Sequence, residues 1–369
     1  MITRLGDVAT YINGYAFKPS DWSNEGKPII RIQDLTDNSY QMNRFNGRIP
    51  EKYYVKKGDV LISWSASLGV YRWTGEDAVL NQHIFKVVFD KTEVDKEFFI
   101  IQAEKILKDA QTQTHGATMK HLTKPMFDSL RFYYPPLAEQ REIVMKMGAV
   151  RRSIEKRKAQ LKKLDDLVKS QFIEMFGDIV RNEREWTCES VEQVAPAVPY
   201  KGQIASSDGK FWLLNLDMVE AQTGEVISKV MVDPTEIGNS TTTFDRGNVL
   251  YSKLRPYLNK VVIPTESGYA TSELLPLRPN PGKLNRYYFA SALRSDAFVG
   301  YIQEQVAGAK MPRVSMGVFR AFRIPCPPML LQEQFARFVE QTDKSKFRIK
   351  QSLEKLETLY KALLQKYFG

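Results

Sequence analysis

The residue patterns that could support catalysis in this chain are few, and each of them is incomplete. Residues 208–210 (Asp-Gly-Lys) match the short half of the Asp/Glu-x-Lys element with which nucleases hold a metal ion, but no acidic residue positioned in an upstream strand accompanies them. The three histidines, His83, His115 and His121, have no carboxylate or cysteine at the spacing of metal ligands. The sequence therefore predicts no catalytic residue and no metal site.

Motifs for nucleotide and methyl-group chemistry are also missing. Gly26, Gly209 and Gly282 each precede a lysine, but none of them has the leading glycine of a phosphate-binding loop. The Asp/Asn-Pro-Pro-Tyr/Phe run of adenine methyltransferases does not occur, and the nearest proline pair lies in residues 133–136 (Tyr-Tyr-Pro-Pro). These patterns favour a binding protein over an enzyme.

The charge of the chain indicates what kind of partner it binds. Its net charge of +10 and pI near 9.3 favour polyanions, and nucleic acid above all. No apolar run approaches the ~18 to 20 residues that span a bilayer, and the first residues do not form a charged and then apolar leader. The two cysteines fit a reducing compartment. We therefore expect a cytoplasmic protein without a membrane partner.

Two segments, residues 64–73 and 251–260, combine basic, aromatic and small polar residues after a glycine turn and a short strand. Arg and Lys can contact guanine edges or phosphates, and small polar side chains can do either through hydrogen bonds. A solvated hairpin tip with core-facing aromatics is the structural alternative. The candidate DNA-binding residues are Trp64, Ser65, Ser67, Tyr71 and Arg72 in the first segment and Tyr251, Lys253, Arg255, Tyr257 and Lys260 in the second.

Two later loops keep a basic character at matching positions, which is typical of phosphate contacts that do not depend on the base sequence. A structural turn that closes each domain is the alternative. The candidates there are Lys120, His121 and Lys124 in the first half and Lys310 and Arg313 in the second. Lys18, in the segment 13–18, and Lys201, in the shorter segment 199–202, are weaker candidates.

A duplicated scaffold positions these loops. Two segments align without a gap at an offset of 192 residues, from a shared proline pair to a shared Phe-Gly. The regions before them repeat one order of strands, helix and loop with different residues. We predict two similar mixed α/β domains separated by two long helices. The predicted boundaries are 1–135 for the first domain, 136–177 for the first helix, 178–327 for the second domain and 328–369 for the second helix.

Both long helices carry apolar residues in alternating steps of three and four, which is the pattern of a coiled-coil seam. At about 1.5 Å per residue each helix is a rod of roughly 60 Å and needs a partner along its length. We predict an intramolecular antiparallel pair with pseudo-two-fold symmetry, in which the polar interruptions Arg157 and Lys346 fix the register. The alternatives are helices that pack on their own domains and a homodimeric coil.

Several motifs together resemble the specificity subunit of type I restriction-modification enzymes. They are Gly-Tyr-Ala-Phe-Lys at 14–18, Lys-Gly-Asp-Val-Leu-Ile at 57–62, Pro-Pro-Leu-Ala-Glu-Gln-Arg at 135–141 and the Phe-Gly that ends each long helix. Their order and the duplication extend the resemblance over essentially the whole chain. One departure is visible at residues 329–332 (Met-Leu-Leu-Gln), where the second copy keeps the glutamine but not the Leu-Ala-Glu before it.

The resemblance implies a division of labour within a larger complex. Each globular unit would be a target recognition domain that reads one half of a bipartite, usually asymmetric, site on double-stranded DNA. The antiparallel helices would set the gap between the half-sites and bind two modification subunits. S-adenosylmethionine would belong to those subunits, and restriction subunits with motor activity would complete the nuclease. This chain would be non-catalytic and would hold no cofactor itself.

Apolar residues outside the helix seam discriminate between a subunit and a stand-alone DNA-binding protein, which is the alternative function. A protein that needs only DNA should have polar outer helix faces. The candidate partner-binding residues are Leu167, Phe172 and Phe176 on the first long helix and Leu359, Leu364 and Phe368 on the second. They favour the subunit. A coiled-coil structural protein, the third class, would show no salt-sensitive affinity for DNA.

Overall fold

A computed structural model describes residues 1–36, 41–65, 67–113, 123–305 and 312–369. The chain forms two compact units. The first comprises Met1–Lys156 with Glu354–Gly369, and the second comprises Arg157–Leu353. Each unit therefore contains a globular part, the beginning of the long helix that follows it, and the end of the other long helix.

The helices differ greatly in length, and two of them have 40 residues each. In chain order they are α1 (Leu5–Val8), α2 (Ile32–Leu35), α3 (Lys96–Gln113), α4 (Lys124–Ser129), α5 (Leu137–Phe176), α6 (Val191–Val194), α7 (Arg286–Arg294), α8 (Asp296–Glu304), α9 (Met316–Ala321) and α10 (Met329–Phe368). None of the helices in the described part of the chain combines the length and the apolar character that crossing a bilayer requires.

The strands of the first unit form two four-stranded sheets and a closing pair. They are β1 (Ile2–Arg4), β2 (Thr10–Asn13), β3 (Lys27–Ile30), β4 (Arg44–Phe45), β5 (Tyr54–Val55), β6 (Val60–Ser63), β7 (Gly69–Arg72), β8 (Ala78–Leu80), β9 (Ile84–Val88) and β10 (Arg131–Tyr133). The sheet orders are β2-β9-β6-β7 and β4-β3-β8-β5, and β1 pairs with β10. Strands β3 and β8 pair in parallel, and the other strand pairs named here are antiparallel.

The second unit repeats the central strand pairings of the first, although its two larger sheets have five and three strands. Its strands are β11 (Cys188–Ser190), β12 (Ser206–Ser207), β13 (Lys210–Leu214), β14 (Val230–Val232), β15 (Thr241–Phe244), β16 (Val249–Ser252), β17 (Val261–Val262), β18 (Gly268–Thr271), β19 (Leu274–Leu277) and β20 (Arg323–Pro325). The pairs β11–β20, β16–β19 and the parallel pair β13–β18 match β1–β10, β6–β9 and β3–β8. The prediction of two similar mixed α/β domains with two long helices is confirmed.

The long helices run antiparallel within each unit. In the second unit, Asp165 of α5 contacts Lys346 of α10 at 2.5 Å, and the ring of Phe172 packs on that of Phe335 at 5.5 Å. Residue numbers thus rise along one helix as they fall along the other. The first unit shows the same direction, because Tyr360, Leu363 and Tyr367 of α10 pack on the core that contains the start of α5. The apolar seam predicted from the sequence is buried or half-buried in both units.

Each globular part has a separate apolar core to which both long helices contribute. Ile143 and Met147, from the start of α5, are buried with α3 and β10 in the first unit. Phe335 and Val339, from the start of α10, are buried with α7 in the second. The start of each long helix is therefore part of the fold of the domain before it.

Candidate nucleic-acid interface

The first predicted DNA-binding segment is the tip of the β6–β7 hairpin. Val60 pairs with Arg72 and Ser63 with Gly69, so residues 64–68 form the connection. The Trp64 ring stacks on Phe85 with a centroid distance of 5.6 Å, and its Nε1 donates to Asn13 Oδ1 at 3.2 Å. The tip is thereby fixed beside the segment that contains Lys18.

The other candidates of this hairpin differ in how accessible they are. Ser65 is only 6% exposed, whereas Ser67 is exposed. Tyr71 is half-buried and packs on the core that includes Leu61 and Trp73. Arg72 is exposed, but its guanidinium forms an ion pair with Glu97 at the start of α3. Of this segment, Ser67 and the edge of Trp64 remain the best-placed groups for DNA.

Lys124, from the later loop of the first half, begins α4 and is held within the domain. Its Nζ lies 2.5 Å from Asp128 Oδ2 and 6.0 Å from the centre of the Tyr11 ring. Because its charge already has a partner, a phosphate would have to compete with Asp128. Lys120, His121 and Lys310, as well as the His115 considered above, lie outside the described residues.

Lys18 lies beside a row of aromatic side chains that sequence reasoning did not identify. Tyr15 packs edge-on against Phe17 at 5.0 Å and Tyr53 at 5.5 Å, and Phe17 packs against Phe45 at 5.1 Å. These rings come from three separate segments of the chain. Pairing of β3 with β4, and the bridge between Tyr15 and Asn81, bring them together.

Cations surround this aromatic row. Lys52 Nζ lies 5.0 Å from the centre of the Tyr53 ring, and Lys27 is opposite Phe45 in the β3–β4 register. Lys18 and Lys52 are exposed, and neither ammonium group forms an ion pair in the described part of the structure. Unlike Arg72 and Lys124, they have charge available for phosphates. We call Tyr15, Phe17, Phe45 and Tyr53 with Lys18 and Lys52 the aromatic-basic face.

The second predicted segment connects β16 to β17 and is joined to a later part of the chain. Arg255 N donates to Pro312 O at 2.8 Å, and Val314 N donates to Lys253 O at 2.9 Å. Leu254 and Arg313 form an isolated bridge. The structure therefore brings Lys253, Arg255 and Arg313 together, although they were predicted as members of two different loops.

This cluster is exposed and partly neutralised. Arg255 and Arg313 are exposed, and Lys253 is half-buried. Arg313 Nη2 lies 2.8 Å from Glu273 Oε1, so it is paired, whereas Arg255 has no acidic partner among the contacts of the described residues. Tyr257, in the turn that follows, is 44% exposed. Lys201 is exposed on a separate loop beside β15, where Tyr200 N donates to Thr243 O at 3.1 Å.

Two candidates of the second segment point away from solvent, and we remove them from the proposed interface. Tyr251 is 5% exposed, stacks on Phe319 at 4.6 Å, and has its pKa raised by burial. Lys260 is half-buried and its Nζ donates to Leu216 O at 2.6 Å. The aligned residue in the first unit would have signalled the core position of Tyr251, because the offset of 189 residues pairs it with Ile62 of β6, which is also buried.

The six candidate partner-binding residues fall into two groups. Phe172 and Phe176 are buried against Tyr288 and Phe335 in the second unit. Leu364 and Phe368 occupy the matching place in the first unit, where they pack on its core. These four side chains hold the end of each long helix to a domain of the same chain, so we remove them from the proposed docking surface.

Leu167 and Leu359 form the second group. Each is 46% exposed, and the offset of 192 residues pairs them with each other. Equivalent exposed leucines on two helices are the arrangement that two copies of one partner would require.

Comparisons with known proteins show what this chain is similar to. Residues 1–164 match the family described as Type I restriction modification DNA specificity domain. The chain is 30% identical over 167 residues to the specificity subunit of the type I restriction enzyme EcoBI of Escherichia coli, a match that covers 45% of this chain and 35% of that protein. It is 20% identical over 347 residues to the EcoDI specificity subunit of the same organism, covering 84% and 77% of the two chains.

The fold of the whole chain also has counterparts among solved structures. The S subunit of a type I restriction-modification system from M. genitalium aligns with a TM-score of 0.58 and 13% identity, over 100% of this chain and 96% of that one. A chain from a structure on complex assembly and conformational transition of the type I R-M system aligns with a TM-score of 0.56 and 16% identity, over 100% and 97%.

The resemblance to type I specificity subunits that the motifs indicated is confirmed by these matches. The chain spans about a third of the EcoBI subunit in that alignment. The low identities to the solved structures support the fold alone.

Proposed function

We propose that this chain is the DNA sequence-specificity subunit of a type I restriction-modification complex, in which each domain reads one half of a bipartite asymmetric site on double-stranded DNA. The observation that carries the proposal is the repeated scaffold with unlike exposed groups. β6–β7 and β16–β17 occupy equivalent places, but one connection presents Ser67 beside Trp64 and the other presents Arg255 beside Arg313. Two readers of different sequences require this combination of like frame and unlike contacts.

The electrostatics of the exposed residues support DNA as the ligand. Unpaired cations supply attraction to phosphates, and their release of counterions makes such binding depend on salt. In the first unit these cations are those of the aromatic-basic face, and in the second unit Arg255 is the corresponding group. Paired cations such as Arg72 contribute less, because DNA must displace a carboxylate before it gains the contact.

The long helices supply the remaining part of the proposal. They would set the gap between the half-sites, and the outer positions Leu167 and Leu359 would help to bind two modification subunits. S-adenosylmethionine and the methyl-transfer groups would belong to those subunits, and the restriction subunits would bring the motor and nuclease activities. This chain would contribute specificity and no catalytic residue.

A stand-alone sequence-specific DNA-binding protein is the second candidate function. It accounts equally well for the basic charge and the paired domains. The exposed leucines Leu167 and Leu359 favour the subunit, because they occupy equivalent positions of the two long helices, as binding of two copies of one partner requires.

Binding of a degenerate duplex pool, measured from low to high salt with the chain alone and with its modification subunit, tests the function. A specificity subunit should lose about a thousandfold in affinity between 50 and 200 mM salt if it makes six or more phosphate contacts. Adding the modification subunit should enrich a two-part sequence in the bound pool. Salt-independent binding would contradict a DNA function. Enrichment of the same sequence without the partner would favour the stand-alone protein.

A further inference from the structure

Each domain places a charged residue near the long helix that follows it, at an equivalent position, and the two charges have opposite sign. Glu104 and Arg294 are both the ninth residue of the helix that packs on a long helix, α3 and α7 respectively. Asp95 and Asn285, which precede these helices, align at the same offset of 190 residues. The two positions are therefore equivalent in the duplicated fold.

The residues near them on the long helices also carry charges of opposite sign. In the first unit Glu104 Oε2 lies 3.8 Å from Arg151 Nη1 of α5. The helix offset of 192 residues pairs Arg151 with Asp343 of α10. In the second unit Arg294 and Asp343 line one cavity of about 610 Å³. An acid on the domain and a base on the helix have become a base on the domain and an acid on the helix.

The surroundings of Arg294 favour a positive charge at this position. Its Nε donates to Val261 O at 3.1 Å, and the guanidinium shares its cavity with Asp165 as well as Asp343. Burial lowers the pKa of Arg294 to about 10, while Asp343 and Asp165 act in the opposite direction. A carboxylate in the same place would face two others at a half-buried position, with Lys346 as the nearby cation.

The first unit gives the complementary picture. Burial raises the pKa of Glu104, Arg151 lowers it, and Glu97 raises it. Tyr360 of α10 lies beside this pair. Burial raises the pKa of Tyr360, Arg151 lowers it and Glu104 raises it. An arginine at position 104 would face Arg151, with Glu97 as its acidic neighbour in place of the two aspartates near Arg294.

We propose that these reversed charge pairs select which domain assembles with which long helix. Glu104 makes the first domain compatible with α5 and incompatible with α10, and Arg294 does the reverse. Such a device is useful in a duplicated chain, because two domains of the same topology could otherwise dock in each other's place. The inference concerns assembly of the chain and stands apart from DNA binding.

A domain exchange within the full chain tests the proposal. Residues 187–327 are replaced by residues 1–135, so that the first domain precedes both long helices. The chimera is made with and without E104R in the second copy of this domain, which is the copy that precedes α10. Glu104 then faces Asp343 and Asp165. We expect E104R to raise the Tm of the chimera by several degrees and to slow hydrogen exchange at the start of α10. The matched control E51R makes the same charge change at an exposed position and should leave both unchanged.

Equal stability of the chimera with and without E104R would overturn the proposal, as would an equal gain from E51R. If neither chimera folds, variants of the native chain test the proposal. R294E and D343R should each lower the Tm, and the double variant R294E/D343R should recover more than half of the summed loss. E104R and R151E should behave in the same way in the first unit. Additive losses in both pairs would contradict selection by charge.

Discussion

The side-chain oxygen of Gln140 accepts a hydrogen bond from the backbone N–H of Asp95 at 2.9 Å. Gln140 is fully buried, and its amide also donates to Pro135 O at 2.8 Å. Asp95 in turn accepts from the first amides of α3. One side chain thus connects the proline pair, the start of α5 and the start of α3, which fixes the long helix to its domain.

The second unit repeats this arrangement with different neighbours. Gln332 accepts from Asn285 N at 2.8 Å and donates to Pro327 O at 2.7 Å and to Lys283 O at 3.0 Å. Asn285 caps α7 by accepting from Tyr287 N at 2.9 Å. The glutamine that survives where the Leu-Ala-Glu motif is lost is therefore the residue that the architecture requires.

Replacing either glutamine by leucine should destabilise its unit. Gln140→Leu and Gln332→Leu leave buried backbone groups without partners, which costs about 1 to 3 kcal/mol per unsatisfied group. Chemical denaturation should show the loss in free energy of unfolding for both variants. Gln334→Leu, at an exposed position of α10, is the control and should change stability little. Equal stability of all three variants would show that the buried amides do not hold the helices.

Reversing the charge of Lys346 should weaken the helix pair of the second unit. Lys346→Glu places a carboxylate against Asp165 and near Asp343, with a cost between the ~1 kcal/mol of exposed pairs and the ~3 to 5 kcal/mol of buried ones. Asp165→Lys in the same chain should recover part of the loss. Lys355→Glu at an exposed site is the matched control. A double variant no more stable than the single one would exclude a role of this pair in the helix register.

Removing cations from the aromatic-basic face should weaken DNA binding. Lys18→Ala and Lys52→Ala should each reduce affinity for duplex DNA and lower the slope of log K against log salt by about one for each lost phosphate contact. Arg72→Ala, which removes an exposed cation already paired with Glu97, should have the smaller effect. Titrations at three salt concentrations measure the slopes. A larger loss from Arg72→Ala would place the DNA on the other side of the hairpin.

Arg255 permits a separation of folding from binding in the second unit, because it has a left-handed backbone with φ of 50°. Arg255→Gly should raise stability by about 1 kcal/mol, since glycine adopts this conformation freely, and Arg255→Ala should change it little, because alanine keeps the Cβ that arginine already has. Both variants lose the guanidinium and should lose equal DNA affinity. Affinity that instead follows stability would mean that the loop and not the charge is what DNA requires.

The long helices and the duplication could be predicted because they depend on local spacing. The proline pair, the step of three and four and the final Phe-Gly predict segments of 136–177 and 328–369, and the helices span Leu137–Phe176 and Met329–Phe368. At the end of α5, Gly177 has φ of 73°, which glycine accommodates without strain.

Which apolar residues face a partner protein could not be predicted. Phe172 and Leu167 both lie off the helix seam, yet one is buried against Tyr288 and the other is exposed. Burial in the same chain and burial against a subunit require the same kind of side chain, so the sequence does not distinguish them. The aromatic-basic face could not be predicted for another reason, since Tyr15, Phe45 and Tyr53 are brought together by strand pairing between distant segments.

The central claim is that two domains read two half-sites whose separation the long helices set. Four residues, about one helical turn, are inserted into both helices near Leu161 and Leu353, and methylated sites are mapped in a host that carries the chain with its modification subunit. The account predicts a two-part motif whose half-sites are unchanged and whose spacer is longer than with the original chain. An unchanged spacer, or a methylated motif with a single part, would contradict it.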